Sequence, residues 1–233
     1  MNNRKKLVVL TGAGMSVESG LSTFRGSGGM WGQHRVEDVA TIDAWYRNKQ
    51  LVLDFYNMRR KELLGVKPNQ GHIALAELEK DFDVEIITQN VDNLHEQAGS
   101  KRVLHLHGEL MKVRSTGPGA EVYDLTPENY ITREGDLCPR GYQLRPHIVW
   151  FGEAVPEMEH AIDIVQKADI FLIIGTSLQV YPAAGLLHYV ASQVPVFMID
   201  PNEVGTYSRK ITVIKKGAGD GLKELKELLK NFL

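Results

Sequence analysis

The sequence predicts an α/β fold: a doubly wound, Rossmann-like parallel sheet with a small inserted module. Short apolar runs stop at Gly, Asn or Asp, which is typical of strands buried on both faces of a parallel sheet. Helical patterns separate these runs, and such alternation is typical of doubly wound sheets. Because these sheets bind ligands at the carboxyl ends of their strands, we expect the functional residues there.

Four apolar runs are predicted to form strands of the main sheet. They are KLVVL before Thr11, VEIIT before Gln89, IFLIIG before Thr176, and VPVFMID ending at Asp200. Helices are predicted for residues 43–64, GHIALAELEKD, EMEHAIDIVQKAD and the amphipathic terminal segment GDGLKELKELLKNFL.

One segment interrupts this alternation. Residues 114–147 hold many turn residues and few aliphatic ones, which favours a small module or a long loop. We therefore expect a single domain over 1–233, with a core formed by about 1–113 and 148–233 and a module formed by about 114–147.

Composition excludes several classes of protein. The chain has 233 residues, 43% of them hydrophobic and 24% charged, and a net charge of −2 without blocks of like charge, so nucleic acid and membrane partners are not expected. The apolar run LVVL is too short for a signal peptide, and no segment approaches the ~20 apolar residues of a membrane span. The single cysteine, Cys138, excludes an intrachain disulfide and fits a reducing compartment, so we expect a cytoplasmic protein.

Two glycine-rich loops follow the first predicted strand. In GAGMSVESG, Gly12 and Gly14 permit close backbone approach, and Ser16 stands where a third glycine would complete a dinucleotide-binding fingerprint. A tight strand-to-helix turn is the alternative, and no acidic residue follows as in a standard dehydrogenase. GLSTFRGSGGMW, with Phe24 and Arg25, reads as a functional lid or as a solvated loop.

Two further motifs carry polar side chains at predicted strand ends. In TQNVDNLH, Asn90 and Asp92 either point into a crevice or cap a helix. In LHLHGEL, His105 and His107 alternate along an apparent strand and would face the same side. His107, before a glycine, is a candidate general base; a metal pair is the rival interpretation, although no third ligand follows at useful spacing.

Together, and in this order, five motifs resemble those of the sirtuin family, the NAD-dependent protein lysine deacylases. They are GAGMSVESGL…FR, TQNVDNLH, HLHG, VWFGE and GTSLQVYPAAG. The resemblance runs from about Val8 to the C-terminal helix, and it implies a monomer that acts on acylated lysine side chains of proteins with NAD as cofactor.

The resemblance also implies roles for particular residues. His107 matches the catalytic histidine, with Asn90 and Asp92 beside it. The residues implied to bind NAD are Gly12, Ala13, Gly14, Ser16, Phe24, Arg25, Trp31, Gln89, Asn90, Asp92, Gly175, Thr176, Ser177, Asp200 and Ala218. VWFGE and LQVYP match the segments between which a substrate peptide adds as a strand, and the residues implied to hold it are Val149, Phe151, Gly152 and Val180.

The implied reaction needs no protein nucleophile. The acyl-lysine oxygen attacks the nicotinamide ribose as nicotinamide leaves, and His107 then deprotonates a ribose hydroxyl. The products are free lysine, nicotinamide and an O-acyl-ADP-ribose. Transfer of ADP-ribose to protein, hydrolysis of NAD, and a non-catalytic NAD-binding module remain the rival functions on the same fold.

The segment DFYNMRR indicates the substrate class. Tyr56 and Arg59 share a face of a predicted helix within 32–66 and resemble the Tyr-x-x-Arg pair of the sirtuin branch that removes acidic acyl groups. A phenol and a guanidinium side by side can bind a distal carboxylate. STFR, HRVEDVAT and LRPHIVWFGE match the same branch. We expect succinyl or malonyl groups to be removed better than acetyl; a surface pair on an amphipathic helix is the alternative.

The resemblance fails at the zinc module that sirtuins usually carry. Ser115 stands where a first metal cysteine is expected, and a structural zinc site needs four nitrogen or sulfur ligands, which Cys138 and His147 do not provide. We expect no bound metal, an inert Cys138, and a module held by turns and by a small core of Tyr123, Leu125, Tyr130, Ile131 and Tyr142.

Overall fold

The computed structural model describes residues 4–22, 30–31, 34–202 and 209–233, and the predicted apolar runs form strands within this part of the chain. The strands are β1 (Lys6–Thr11), β2 (Met30–Trp31), β3 (His34–Arg35), β4 (Asp83–Thr88), β5 (Val103–His105), β6 (Gly108–Ser115), β7 (Val122–Asp124), β8 (Leu144–Ile148), β9 (Ile170–Ile174), β10 (Val196–Ile199) and β11 (Thr212–Ile214). The α-helices are α1 (Val36–Val39), α2 (Ile42–Arg47), α3 (Lys49–Leu64), α4 (Gln70–Leu78), α5 (Leu94–Gln97), α6 (Met158–Val165) and α7 (Ala218–Leu229).

Over the described residues, the main sheet has the strand order β11-β10-β9-β1-β4-β5, and every neighbouring pair is parallel. The chain moves outward from β1 through β4 and β5, and then restarts on the other side of β1 with β9. The strand order therefore reverses between β1 and β9, where doubly wound sheets bind ligands. This is the α/β class that the sequence predicts.

Both faces of the sheet are covered, which explains the continuous apolar runs. Along β1, Leu7 and Val9 join a buried cluster with α4 and α7, whereas Val8 and Leu10 join a second cluster with α6. The alternation places successive side chains on opposite faces, and all four are fully buried. Within the described ranges, no helix is long and apolar enough to cross a membrane.

The helix predicted over 43–64 is wrong in one respect, because the structure divides it into α2 and α3. Asn48 stands between them with an extended ψ of 83°, and its Oδ1 accepts a hydrogen bond from the Leu51 amide at 3.0 Å. The asparagine thus caps a new helix where the apolar periodicity alone runs on. The break lets α1–α3 form a third buried cluster around Trp45 and Trp150.

The inserted segment forms part of a three-stranded antiparallel sheet in the order β7-β6-β8. The predicted core of this module is wrong for Ile131 and Tyr142, which are 41% and 39% exposed. Its buried positions include Ser115, Thr132 and Cys138 instead. Hydrogen bonds tie the segment to α3, where Asn57 and Arg60 both bond to Thr132. Its proposed limits at 114 and 147 stay a prediction.

Cys138 lies against Ser115, with Sγ 3.3 Å from the serine Oγ. This hydrogen bond lowers the pKa of the Cys138 thiol. Among the residues that the structure describes, no three His, Cys, Asp or Glu side chains come together as a metal site would require. The expectation of a module without zinc, and of an inert thiol, stays a prediction.

Arg60 connects α3 to this module from a fully buried position. Its Nε donates to the Leu110 carbonyl at 2.8 Å, and its Nη1 donates to the Tyr130 carbonyl at 3.2 Å and to Thr132 Oγ1 at 3.1 Å. Burial lowers the pKa of the guanidinium to about 10. These partners are all neutral oxygens, so carbonyl and hydroxyl dipoles stabilise the buried charge.

A pair of buried histidines lies between α4 and the sheet. His72 Nδ1 accepts a hydrogen bond from the Asn69 amide at 3.3 Å and completes a capping box at the start of α4. His95 Nε2 lies 3.1 Å from Thr11 Oγ1, and the two imidazole centroids are 4.8 Å apart. Burial lowers the pKa of His72 to about 4 and that of His95 well below its ordinary value. Both rings are therefore neutral at pH 7.

We predict that Arg60→Met destabilises the protein by about 3 kcal/mol, because it leaves several buried carbonyl and hydroxyl oxygens without a donor. Urea denaturation of wild type and variant measures this. Arg47→Met is the control, since the Arg47 side chain is 58% exposed and its pairing with Asp38 is expected to contribute little. A loss below ~1 kcal/mol for Arg60→Met would contradict the assigned role.

We predict that stability falls as the pH drops from about 7 towards 4. The unfolded chain binds a proton at His72 near pH ~6.5, whereas the folded chain does so only near pH 4, so the unfolded state gains protons first. The expected loss from His72 is about 2 kcal/mol between pH 7.5 and pH 5. Melting temperatures at pH 7.5 and 5 measure it. The decrease should shrink in His72→Gln and persist in His160→Gln, whose side chain is exposed; equal decreases in all three proteins would refute the prediction.

Candidate active site

A cleft of about 540 Å³ opens at the carboxyl edge of β1, β4 and β9, beneath the turn that follows β8. Most residues predicted for the site line it, although they come from separate parts of the chain. These residues are Gly12, Ala13, Gly14, Ser16, Tyr56, Arg59, Gln89, Asn90, Asp92, His107, Val149, Phe151, Gly152, Gly175, Thr176, Ser177, Val180 and Asp200.

The remaining predicted residues are placed differently. Phe24 and Arg25 lie outside the described residues, and only the backbone of Trp31 is described, in β2. Ala218 does not line the cleft: it is buried at the first position of α7 and packs in the core cluster that contains Leu7.

Glycine is required where the loops after β1 and β9 meet. The Gly14 amide donates to the Gly175 carbonyl at 2.8 Å, and a Cβ added to Gly14 would lie 2.7 Å from the Gly175 Cα. A Cβ on Gly12 would lie 2.7 Å from the Thr176 Cβ, and Gly175 itself has a φ of +61°. Side chains at these glycines would push the two loops apart, so the loops meet as backbone and form the floor of the cleft.

Ser16, Asn90 and Asp92 form one buried hydrogen-bond network at the back of the cleft. Ser16 Oγ donates to Asp92 Oδ2 at 2.9 Å, and Asn90 Nδ2 donates to the Gly12 carbonyl at 3.0 Å. Asp92 Oδ1 also accepts from the Leu94 amide, so the capping interpretation holds for Asp92 together with its place in the cleft. Burial raises the pKa of the Asp92 carboxyl, and the bonds from Leu94 and Ser16 oppose this only in part.

His107 lies in the turn between β5 and β6 rather than on a strand, so the prediction that it alternates with His105 is wrong. Gly108 has a φ of +82°, and a side chain there would collide with the His147 carbonyl; this bends the chain after His105. His105 lies between the Asn90 carbonyl and Glu96, outside the cleft lining. Of these two histidines, His107 lines the cleft and His105 does not.

The surroundings of His107 suit a general base. Its Nδ1 donates to the Gln89 carbonyl at 3.0 Å, which fixes the ring and leaves Nε2 as the acceptor. Burial lowers the pKa of His107, and the hydrogen bond to Gln89 opposes this only in part. The imidazole is therefore neutral and able to accept a proton at pH 7.

The inner end of the cleft holds Tyr56 and Arg59, both buried on α3. Tyr56 Oη accepts a hydrogen bond from Trp150 Nε1 at 2.9 Å, and burial raises the pKa of the phenol, which keeps it protonated. Arg59 Nη1 donates to Glu62 Oε2 at 2.6 Å and to Ser22 Oγ at 3.4 Å. The alternative of a surface pair is excluded by this burial.

Sequence reasoning missed the residues that fix the wall of the cleft. Arg145 donates two hydrogen bonds to the Glu153 carboxylate, at 2.7 and 2.9 Å, and its guanidinium lies 3.5 Å from the centre of a Trp150 ring. Arg114 and the Trp150 amide bind the same carboxylate. Burial alone would raise the pKa of Glu153, but these donors lower it, so the carboxylate stays ionised. The eight-residue spacing from Arg145 to Glu153 gives no recognisable sequence signal.

Comparison with known proteins identifies the family. The profile of the Sir2 family matches residues 12–182. A relative from Bacteroides thetaiotaomicron, named NAD-dependent protein deacylase, is 60% identical over 97% of this chain and 98% of its own length. Another of that name, from Helicobacter pylori, is 49% identical over 95% of this chain and 96% of its own length.

Solved structures give the same result. A Sir2 homologue variant in complex with ADP-ribose has a TM-score of 0.89 and 36% identity, covering 99% of this chain and 94% of that one. A Sir2 homologue in complex with NAD has a TM-score of 0.86 and 36% identity, covering 99% and 91%. A Sir2 variant with a deacetylated peptide and an acetyl ADP-ribose has a TM-score of 0.80 and 30% identity, covering 97% and 94%. The resemblance to sirtuins is thereby confirmed, and the chain belongs to the Sir2 family.

Proposed function

We propose that this protein is an NAD-dependent protein lysine deacylase that prefers acidic acyl groups such as succinyl and malonyl. The observation that carries the proposal is the buried pair Tyr56 and Arg59, which lines the same cleft as His107 and the glycine-rich loops. A phenol and a guanidinium can together bind the distal carboxylate of an acidic acyl chain, whereas an acetyl group offers them no charge.

NAD is the cofactor, as in the family and in the Sir2 homologue solved with NAD. The residues present fit it: Gly12, Gly14 and Gly175 form a floor without side chains at the carboxyl ends of β1 and β9, where doubly wound sheets bind dinucleotides. Ser16, Asn90 and Asp92 brace that floor from behind. When bound, NAD supplies the ribose carbon that accepts the acyl oxygen and the hydroxyl that His107 deprotonates.

His107 is assigned as the general base. Its Nε2 faces the cleft while Nδ1 is held by the Gln89 carbonyl, so the ring can receive a ribose-hydroxyl proton without turning. Val149, Phe151 and Gly152 line the cleft on the segment after β8, and Val180 lines it from the segment after β9. A peptide strand bound there would direct its acyl-lysine inward, towards Tyr56 and Arg59.

At the inner end, Tyr56 and Arg59 are assigned to the acyl group. Trp150 donates to the Tyr56 oxygen, so the phenol proton remains directed to another acceptor, such as an acyl carboxylate. Arg59 contributes a permanent positive charge with little exposure to water, which strengthens its attraction for a carboxylate. Both residues bind and orient the acyl chain, and neither takes part in proton transfer.

We predict that His107→Ala lowers kcat/KM by about 100-fold or more, because the base is lost. In wild type, the acidic limb of the kcat/KM profile should lie below the ordinary histidine value of ~6.5, since burial lowers the pKa and only the neutral ring accepts a proton. Nicotinamide release with one acylated peptide, measured from pH 5 to 9, tests both points. An acidic limb at or above the ordinary value would contradict the assignment.

We predict that Arg59→Met lowers kcat/KM for a succinylated or malonylated peptide by about 30-fold or more relative to the acetylated peptide of the same sequence. Tyr56→Phe should act in the same direction but more weakly, because it removes one neutral donor. Assays with the three peptides, each with and without NAD, measure the ratios. Equal effects on all three peptides would show that the acyl preference does not depend on Arg59.

A further inference from the structure

Arg59 is already paired with a carboxylate of its own helix. Glu62, three residues further along α3, places Oε2 2.6 Å from Arg59 Nη1. Residues at this spacing lie on one face of a helix, so the pair is local and needs no other element to form it. The guanidinium that we assign to the acyl carboxylate thus has an internal competitor.

The two partners differ in burial. The Arg59 side chain is 10% exposed, whereas that of Glu62 is 44% exposed. The carboxylate can therefore rotate into water at moderate cost, and the guanidinium stays in the cleft. This asymmetry makes Glu62 the member of the pair that an incoming ligand can displace.

We propose that Glu62 is a specificity-determining residue, an internal counter-ion that weakens the preference of the Arg59 pocket for acidic acyl groups. The inference rests on the proposed function, in which Arg59 receives the acyl carboxylate. A succinyl or malonyl group must displace Glu62 or approach a second negative charge, and like charges repel. A neutral acyl group enters without that cost. The Arg59–Glu62 pair thus reduces the difference in kcat/KM between acidic and neutral acyl substrates.

Glu62→Gln tests the proposal, because it removes the charge but keeps the size of the side chain. The ratio of succinyl to acetyl kcat/KM should rise about threefold to fivefold, the range of a partly exposed ion pair. The change should appear in KM for the succinylated peptide rather than in kcat, since Glu62 has no part in proton transfer. Asp54→Asn is the matched control: Asp54 is an exposed carboxylate on the same helix, bonded to Gln50, and its removal should leave the ratio unchanged.

A ratio that is unchanged or lowered by Glu62→Gln would overturn the proposal; a lowered ratio would mean that Glu62 orients Arg59 for the substrate. Glu62→Ala should raise the ratio in the same way, which separates the loss of charge from any effect of the amide. Arg59→Met and the double variant Arg59→Met, Glu62→Gln should have equal ratios, because the counter-ion has nothing left to neutralise. If Arg59→Met leaves the wild-type ratio intact, the proposed function fails together with this inference. If only Glu62→Gln is without effect, the inference alone fails.

Discussion

The close contact between the loops after β1 and β9 is the constraint on which the site depends. The Gly14 amide donates to the Gly175 carbonyl across the point where the strand order reverses, and the approach is too close for a side chain at either of these two glycines. The contact gives the cleft a floor of backbone, and it joins two loops that are about 160 residues apart along the chain. Asn90 and Asp92 form hydrogen bonds to the loop after β1, which contributes to this floor.

Bracing by buried polar groups continues outward from this floor. Asn90 binds the Gly12 carbonyl and Ser16, and Asp92 binds Ser16 as well, so both side chains connect the end of β4 to the loop after β1. His72 serves the same loop indirectly: it caps α4 through Asn69, whose side chain donates to the Met15 carbonyl at 2.8 Å. These groups are fully or nearly buried, and each bond therefore matters more than it would at the surface.

The part of the cleft lined by Tyr56 and Arg59 is held together by charged and polar side chains rather than by contacts between backbone segments. The Glu153 carboxylate accepts hydrogen bonds from Arg145 and from the Trp150 amide. The Trp150 indole in turn donates a hydrogen bond to the Tyr56 oxygen. These hydrogen bonds connect the turn after β8, which contains Trp150 and Glu153, to Tyr56 on α3. Arg59 lies on the same helix as Tyr56, where it pairs with Glu62.

Local sequence patterns were enough to predict the α/β class, the main strands and the residues at their carboxyl ends, because strand burial and loop glycines leave such patterns. The same local signals failed at three places. Asn48 ends one helix and starts another within a continuous apolar pattern, His107 leaves its strand because Gly108 turns, and Tyr142 is exposed where a core was expected.

Which polar side chains contact each other became known only from the folded structure. The burial of Arg59 and the anchoring of Glu153 by Arg145 depend on distances between side chains that the order of residues does not specify. The physical reason is that electrostatic and hydrogen-bond energies depend on separation and on exclusion of water. The periodicity of a sequence indicates on which face of a helix or strand a residue lies. The side chains that this face contacts depend on how the elements pack in the folded protein.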